Sequence, residues 1–318
     1  MWAFLAINFA LFPLSAAGYL LWIGKLIANR NSQVSATAQG PLFARHAQNV
    51  LGVRDDTAAS ALLDVLPGVS RLAVQLTSGP LLLAHRVTGY VPKTFRYPFE
   101  GKVVLQNEGA ARSSFFDAVL ERALADISQL VIMGAGFDTR SYRLPKSAGV
   151  RCFELDGAAT QAVKRRALAD AHVDASHVRF VRADFDREDW LDKLLASGFD
   201  PNHKSLFIWE GVTMYLTSAG VEATLRKIGG CARGSLVAFD YFTDFVIQSK
   251  SAYMRYARLA TRMSGEPLLF GFDSTPPVRE RVAETLAACG LELVEHKTFG
   301  EEREAQRAWG GFAVAAVR

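Results

Sequence analysis

The chain has 318 residues, enough for one large domain or two small ones, and half of them are hydrophobic against 21% charged, which excludes a disordered chain. The formal net charge of +4 is too small to imply nucleic acid by itself, and the basic residues are not interleaved with aromatics as in a nucleic-acid surface. Three widely spaced cysteines (Cys152, Cys231 and Cys289) argue against a disulfide framework, and the six histidines lack metal-ligand spacing, so no metal site is expected.

The first stretch, "MWAFLAINFALFPLSAAGYLLWIG", runs from Met1 to Gly24 without an ionisable side chain. As one helix it would be about 36 Å long, enough to cross a bilayer with some tilt, and Pro13 could kink it, which lipid-embedded helices tolerate. Trp2, Tyr19 and Trp22 suit the interfaces, and Lys25, Arg30 and Arg45 follow. The positive-inside rule then puts the rest of the chain on the cytoplasmic side of a single-pass membrane protein. A cleaved signal peptide would open on Lys or Arg, and none precedes the apolar run. Residues 1–28 are therefore expected to form a transmembrane anchor, the alternative being a helix that lies parallel to the membrane or is buried in the core.

Residues 29–112 read as a helical cap with breaks at Pro67-Gly68, at Gly79-Pro80 and from Gly89 to Pro98. Within it "LAVQLTSGPLLLAH" (Leu72 to His85) is apolar but broken at Ser78-Gly79-Pro80, too short and interrupted to span a membrane; it reads as packed in a core, or alternatively as lying on the membrane surface or roofing a pocket. From Ser113 the pattern changes. Seven oily runs appear, "QLVIMGAG", "VRCFELD", "VRFVRADF", "SLFIWEGV", "SLVAFDYF", "LELVEHKTF" and "GFAVAAV", with helical patterns over 158–171, 218–231 and 278–289 between them. Oily strands alternating with helices predict an α/β domain over 113–318, built on a parallel sheet covered on both faces. Residues 243–275 are long for a connection and carry a helical pattern of their own, so they read as an inserted lid.

Ligands bind such sheets beyond the carboxyl ends of the strands. The first strand is followed by Gly134-Ala135-Gly136, the second ends in Glu154-Leu155-Asp156, the third in Asp184-Phe185 and the fourth in Glu210-Gly211. A flat backbone turn, a carboxylate for ribose hydroxyls and a polar-plus-aromatic pair for a base are the parts a nucleoside cofactor needs. A dinucleotide fingerprint would put a third glycine where Thr139 stands, so the match to a nicotinamide oxidoreductase is broken. S-adenosylmethionine binds the same topology without a pyrophosphate.

Together "GAGFDTRSYRL", "FELD", "ADF" and "WEGVTMYLT", with "GEPLLFGFD" (Gly265 to Asp273) further on, resemble the leucine carboxyl methyltransferase family. The resemblance covers about residues 35–318, is closest to bacterial O-methyltransferases, and leaves the apolar N-terminus as an addition. It implies a Rossmann-like, seven-stranded class I methyltransferase sheet that binds S-adenosylmethionine. By the same resemblance Gly134 and Gly136 pack on the cofactor, Asp156 holds the ribose with Glu154 as its rival, and Asp184 and Phe185 contact adenine. Glu210 lies near the methionine ammonium, Arg112 binds the methionine carboxylate, and Arg45 is a further basic residue near it. Tyr215 belongs to the substrate pocket or to the core. Asp55-Asp56 fall where the family has Asp-Pro, with Thr57 in place of the proline. Asp138 and Arg140 are expected to brace the turn. Lys164-Arg165-Arg166 and the stripe of Arg255, Arg258 and Arg262 read as solvated faces, the stripe alternatively as membrane-facing.

The reaction this implies is methyl transfer to oxygen of a small, amphipathic acceptor. No histidine stands beside the motif residues, which favours a carboxylate acceptor over a hydroxyl that needs a general base. No catalytic residue can be named. The competing readings are a membrane-tethered binding protein that keeps the cofactor fold without catalysis, and a nicotinamide oxidoreductase.

Overall fold

The structure is a computed structural model of the chain and describes residues 1–28, 37–67, 69–263, 265–303 and 307–318. Arg30 and Gly68, used in the sequence reading, lie outside the described residues.

Two helices open the chain, α1 (Trp2–Ala10) and α2 (Phe12–Ala28), bent by 60° at Leu11. The expected single spanning helix is therefore corrected: among the described residues no single helix is long and apolar enough to cross a membrane. The cause is Pro13. It has no N–H to return to the carbonyl of Phe9 and its ring crowds that carbonyl, so a new helix starts with the proline in its first turn. After α3 (Gln39–Val50) and α4 (Thr57–Val65) comes α5 (Arg71–Thr88). This too corrects the reading, because α5 runs unbroken through Ser78-Gly79-Pro80. Ser70 caps its start, Gly89 in the left-handed region ends it, and the Thr77 and Ser78 hydroxyls donate to the Ala73 and Val74 carbonyls inside it. Both α1 and α2 lie against α5, where Gly18 permits the approach: a Cβ there would sit 2.8 Å from the Ala73 carbonyl oxygen.

The remaining elements are α6 (Glu108–Ala123), β1 (Gln129–Met133), β2 (Arg151–Asp156), α7 (Ala158–Asp170), β3 (Val178–Arg182), α8 (Trp190–Ala196), β4 (Ser205–Trp209), α9 (Ser218–Gly229), β5 (Leu236–Phe242), α10 (Asp244–Ile247), α11 (Ala252–Met263), α12 (Val278–Ala287), β6 (Leu291–Phe299) and β7 (Gly310–Val317). The seven strands form one sheet in the order β3-β2-β1-β4-β5-β7-β6. The first five run parallel, while β7 is antiparallel to both its neighbours. Among the described residues no helix separates β6 from β7, and the pair is antiparallel. With that one reversal, the sheet is the seven-stranded Rossmann-like form that the sequence led to. Strand order switches direction between β1 and β4, which opens a crevice at their carboxyl ends.

Both faces of the sheet are dry. Phe153, Phe207, Trp209 and Phe239 fill one side, and Leu130, Ile132, Ile208, Phe116 and Phe312 the other. A third core, of Leu42, Leu62, Leu63, Val74 and Leu168, joins the cap to the sheet and receives Phe137 from the loop after β1. Beside it lies a buried ionic cluster. Arg140 donates to Asp117 (2.7 Å), Asp138 (2.5 Å) and Glu210 (2.5 Å), and Arg45 to Asp138 (3.0 Å) and Glu210 (2.9 Å). Arg54 pairs with Asp117 at 2.8 Å and with Asp56, which accepts from Thr139 at 2.8 Å and also caps α4 through the Ala59 amide. Asp56 thus does the work of the turn that Thr57 left in doubt, and Asp138 and Arg140 brace the loop as expected. Burial alone would raise the Asp117 carboxyl, but Arg140 and Arg54 hold it well below the usual carboxylate range.

Phe137→Ala is expected to cost about 3–5 kcal/mol in urea unfolding, as a fully packed aromatic does. Arg140→Met is expected to cost a similar amount, about 3–5 kcal/mol, because it strands buried carboxylates. It should also bring acid unfolding to a higher pH: the depressed carboxylates contribute stability above their unfolded pKa that is lost as pH falls, and without Arg140 they take up protons sooner. A fully stable Arg140→Met protein in a pH-stepped unfolding series would show that the cluster does not hold the cap.

Candidate active site

A cavity of about 750 Å³ lies over the carboxyl ends of β1 to β5. Its floor is the loop after β1. Gly134 and Gly136 both take positive φ, +64° and +43°, and a Cβ on Gly134 would sit 2.4 Å from Val212 Cγ2. The two glycines are therefore needed for the turn and for the close approach of the β4 loop.

Asp156 ends β2 and reaches back under this turn. Its carboxylate accepts the Gly136 amide at 2.5 Å and the Gly157 amide at 2.6 Å. Burial pushes its pKa up to about 6, against the pull of those two amides. Its rival Glu154 is a different case. It is buried, its carboxylate pairs with Lys164 at 2.6 Å and accepts the Tyr142 hydroxyl at 3.1 Å, and it does not line the cavity. The reading of Glu154 as a ribose ligand is not what this geometry offers, and the solvated reading of Lys164 is corrected with it, since Lys164 is only 2% exposed. A basic run on a helix gives no hint that one member points inward to a strand acid.

Asp184 and Phe185 follow β3 at one end of the cavity. Asp184 is exposed and accepts the Asp186 amide at 3.1 Å, while Phe185 packs on Trp190 and Trp209. At the opposite end Glu210 follows β4. Burial would raise its carboxyl, but Arg140 and Arg45 hold it low, so it stays ionised. Arg112 comes from α6 and pairs with Asp240 of β5 at 2.7 Å and with Glu108. It is not a solvated charge at a helix start, being half-enclosed beside Gly211, whose amide donates to Asp240 at 2.6 Å. Burial lifts the Asp240 carboxyl to about 6, opposed by Arg112 and the Gly211 amide. Among the described residues, Arg45 Nε and Arg112 Nε are buried without a hydrogen-bond partner.

The mouth of the cavity is built from parts the sequence reading did not name. Thr37, Ala38 and Pro41 arrive from the start of α3, and Glu266 from the 243–275 segment. The two sides meet where Thr37 donates its hydroxyl to Glu266 at 2.7 Å. Arg262 lines the mouth from the last turn of α11, and Arg258 donates to the Ile247 and Ser249 carbonyls at 2.8 Å, so the arginine stripe is only partly a solvated face. Tyr215 stands in the cavity wall, and burial pushes its hydroxyl up to about 12. Tyr215 and Glu266 lie inside quoted motifs, "WEGVTMYLT" and "GEPLLFGFD", but Thr37, Ala38 and Pro41 carry none, because segments far apart in sequence meet only in the fold.

Residues 97–229 match the family model described as leucine carboxyl methyltransferase. A protein of Mycobacteroides abscessus, named as an S-adenosyl-L-methionine-dependent methyltransferase, is 34% identical over 168 residues, 51% of this chain and 55% of the relative. One of Bacillus subtilis with the same kind of name is 31% identical over 192 residues, 58% of this chain and 61% of the relative. The matched parts thus span about half to three-fifths of these curated relatives. Among solved structures, a DUF574 family protein from Streptomyces avermitilis superposes with a TM-score of 0.47 at 16% identity, covering 86% of this chain and 97% of that one. Magnesium protoporphyrin IX methyltransferase from Synechocystis, solved with SAH, gives 0.43 at 10% identity over 69% and 90%. The family match and the named relatives agree: residues 97–229 are similar to the leucine carboxyl methyltransferase family, and the relatives are named as S-adenosyl-L-methionine-dependent methyltransferases.

Proposed function

We propose that this chain is an S-adenosylmethionine-dependent O-methyltransferase and that its acceptor oxygen is a carboxylate of a small, amphipathic molecule. The observation that carries the first part is the division of the cavity into ends of unlike chemistry. Glu210, Arg112 and Arg45 form a paired acid and base at one end, Asp156 stands below the glycine turn, and Asp184 with Phe185 closes the other end. The cofactor is a zwitterionic amino acid joined to a ribose and a base, in that order. Arg45 and Arg112 both line the cavity and each has a buried Nε–H without a partner, which supports the binding of a carboxylate there. The β1–β2 connection speaks against a dinucleotide, since it contains only short 3₁₀ turns at Arg140–Tyr142 and Lys146–Ala148 and offers no helix N-terminus to a pyrophosphate.

Bound S-adenosylmethionine supplies an electrophilic methyl group. The chain's own residues do the positioning. Asp156 accepts from ribose hydroxyls, Glu210 holds the ammonium, and Arg112 with Arg45 holds the carboxylate. Fixing donor and acceptor in line supplies much of the rate in a displacement of this kind. A carboxylate acceptor arrives already ionised and asks for no general base. The Tyr215 phenol, with its pKa near 12, stays protonated at neutral pH and acts as a hydrogen-bond donor to an anionic acceptor, not as a base. No histidine is among the described residues of the cavity wall, so a hydroxyl acceptor would have to use Glu266, which Thr37 already engages.

Calorimetric titration of S-adenosylmethionine tests the cofactor site. Asp156→Asn is expected to weaken binding about ten- to hundredfold, the loss of a charged hydrogen-bond acceptor. The pH profile adds a signature. Ribose hydroxyls prefer the ionised carboxylate, so wild-type affinity should fall as pH drops through about 6, the Asp156 value. The Asp156→Asn protein should lack that inflection. A folded wild type that does not bind the cofactor removes the proposal.

The acceptor is read from the product. With amphipathic carboxylic acids and matched alcohols offered together, labelled methyl is expected in a base-labile ester. A base-stable ether as the main product would reject the carboxylate assignment.

A further inference from the structure

The chain carries a second surface that the cavity does not use. On α1 and α2 the side chains turned inward are Phe4, which packs on Tyr90 with ring centres 5.0 Å apart, and Trp22, which packs on Phe43 at 4.9 Å. Those turned outward are large and apolar: Trp2 (79% exposed), Phe9 (85%), Phe12, Tyr19 and Leu20, continued on α5 by Val87. The two helices are thus held to the body by one face and present the other, unpartnered among the described residues. Such a contiguous exposed apolar patch marks a contact site.

Charge decides what the contact is. The first acidic residue of the whole chain is Asp55, and none occurs from Val65 to Phe99, so α1, α2 and α5 contain no carboxylate. The same helices and the loop after α5 carry exposed Lys25, Arg71, Arg86, Lys93 and Arg96. An apolar face bordered mainly by cations, with Asp64 beside Arg71 as the exposed acid next to them, matches a bilayer surface with anionic headgroups. A symmetric partner would bring cation against cation along the same rim.

We infer that α1, α2 and α5 form a monotopic docking surface for anionic membranes, with the bent helix pair lying in the headgroup region and the basic residues on the phosphates. The surface adjoins the cavity mouth. Trp22 Nε1 donates to Gln39 at 3.2 Å, and Gln39 opens α3, whose preceding residues Thr37 and Ala38 line the mouth. An amphipathic acceptor would then enter from the lipid side. That last step rests on the function proposed above, whereas the docking itself does not.

The test is flotation of the full chain with vesicles of phosphatidylcholine alone and of phosphatidylcholine mixed equally with phosphatidylglycerol. The expected result is recovery with the mixed vesicles, roughly tenfold above the neutral ones, weakening as salt rises. The double substitution Phe9→Ser with Leu20→Ser touches exposed positions only, so circular dichroism and S-adenosylmethionine titration should match wild type while vesicle recovery falls at least about tenfold. Arg71→Gln with Arg86→Gln should remove the preference for phosphatidylglycerol. A wild type that floats with neither vesicle, or a dimer in solution that the Phe9→Ser with Leu20→Ser change makes monomeric and that vesicles do not capture, overturns the inference. Because cofactor titration is read separately, failure of docking and failure of the methyltransferase reading are distinguishable.

Discussion

The fold depends on a buried exchange of charge between cap and sheet. Arg45 on α3, Arg54 before α4, Arg140 after β1, and the carboxylates Asp56, Asp117, Asp138 and Glu210 are all withdrawn from water. Each such charge is expensive to bury alone, and a pair rarely improves on well-packed hydrocarbon. A cluster does something hydrocarbon cannot: it accepts only one arrangement. Shifting α3 by a turn would leave Asp138 and Glu210 short of a cation in a dry place. The apolar core of Leu42, Leu62 and Phe137 supplies attraction without direction, and the arginines supply the register.

The same cluster sets the chemistry of the cavity. Glu210 lies between Arg45 and Arg140 and is held ionised, whereas Asp156, with backbone amides as its partners, and Asp240, opposite a single arginine, are lifted to about 6. One wall thus keeps its charge at all ordinary pH values and the other two acids hold theirs weakly. An unliganded Asp156 gains when hydroxyl donors arrive, because they stabilise the charged form that burial opposes.

How much of this was legible varies with the range of the interaction. Strands, the glycine turn and the acids at strand ends could be read because each is a local pattern: oily runs, φ-demanding glycines, polar residues where the run stops. Glu154 and Asp156 could not be separated by pattern, since residues two apart in a strand share a face. Depth along β2 separates them, through Tyr142 and Lys164, which reach only Glu154. Composition announced the apolar N-terminus, yet the break at Leu11 and the docking of Gly18 on Ala73 depend on a proline and on a helix some fifty-five residues away. Pro80 misled in the opposite direction. It was read as a break, but α5 lies against α1 and α2, and that packing carries the helix through. At the cavity mouth the lid segment and Tyr215 were legible, but the meeting of Thr37 with Glu266 was not, because the two are 229 residues apart.

One short helix links these parts. On α3, Gln39 accepts from Trp22 of the exposed helix pair, and six residues on, Arg45 reaches Glu210 in the cavity. Between them Leu42 is fully buried in the cap core, so the helix cannot rotate to serve one contact without straining the other. One helix thus carries both a contact of the outer helices and a contact of the cavity wall.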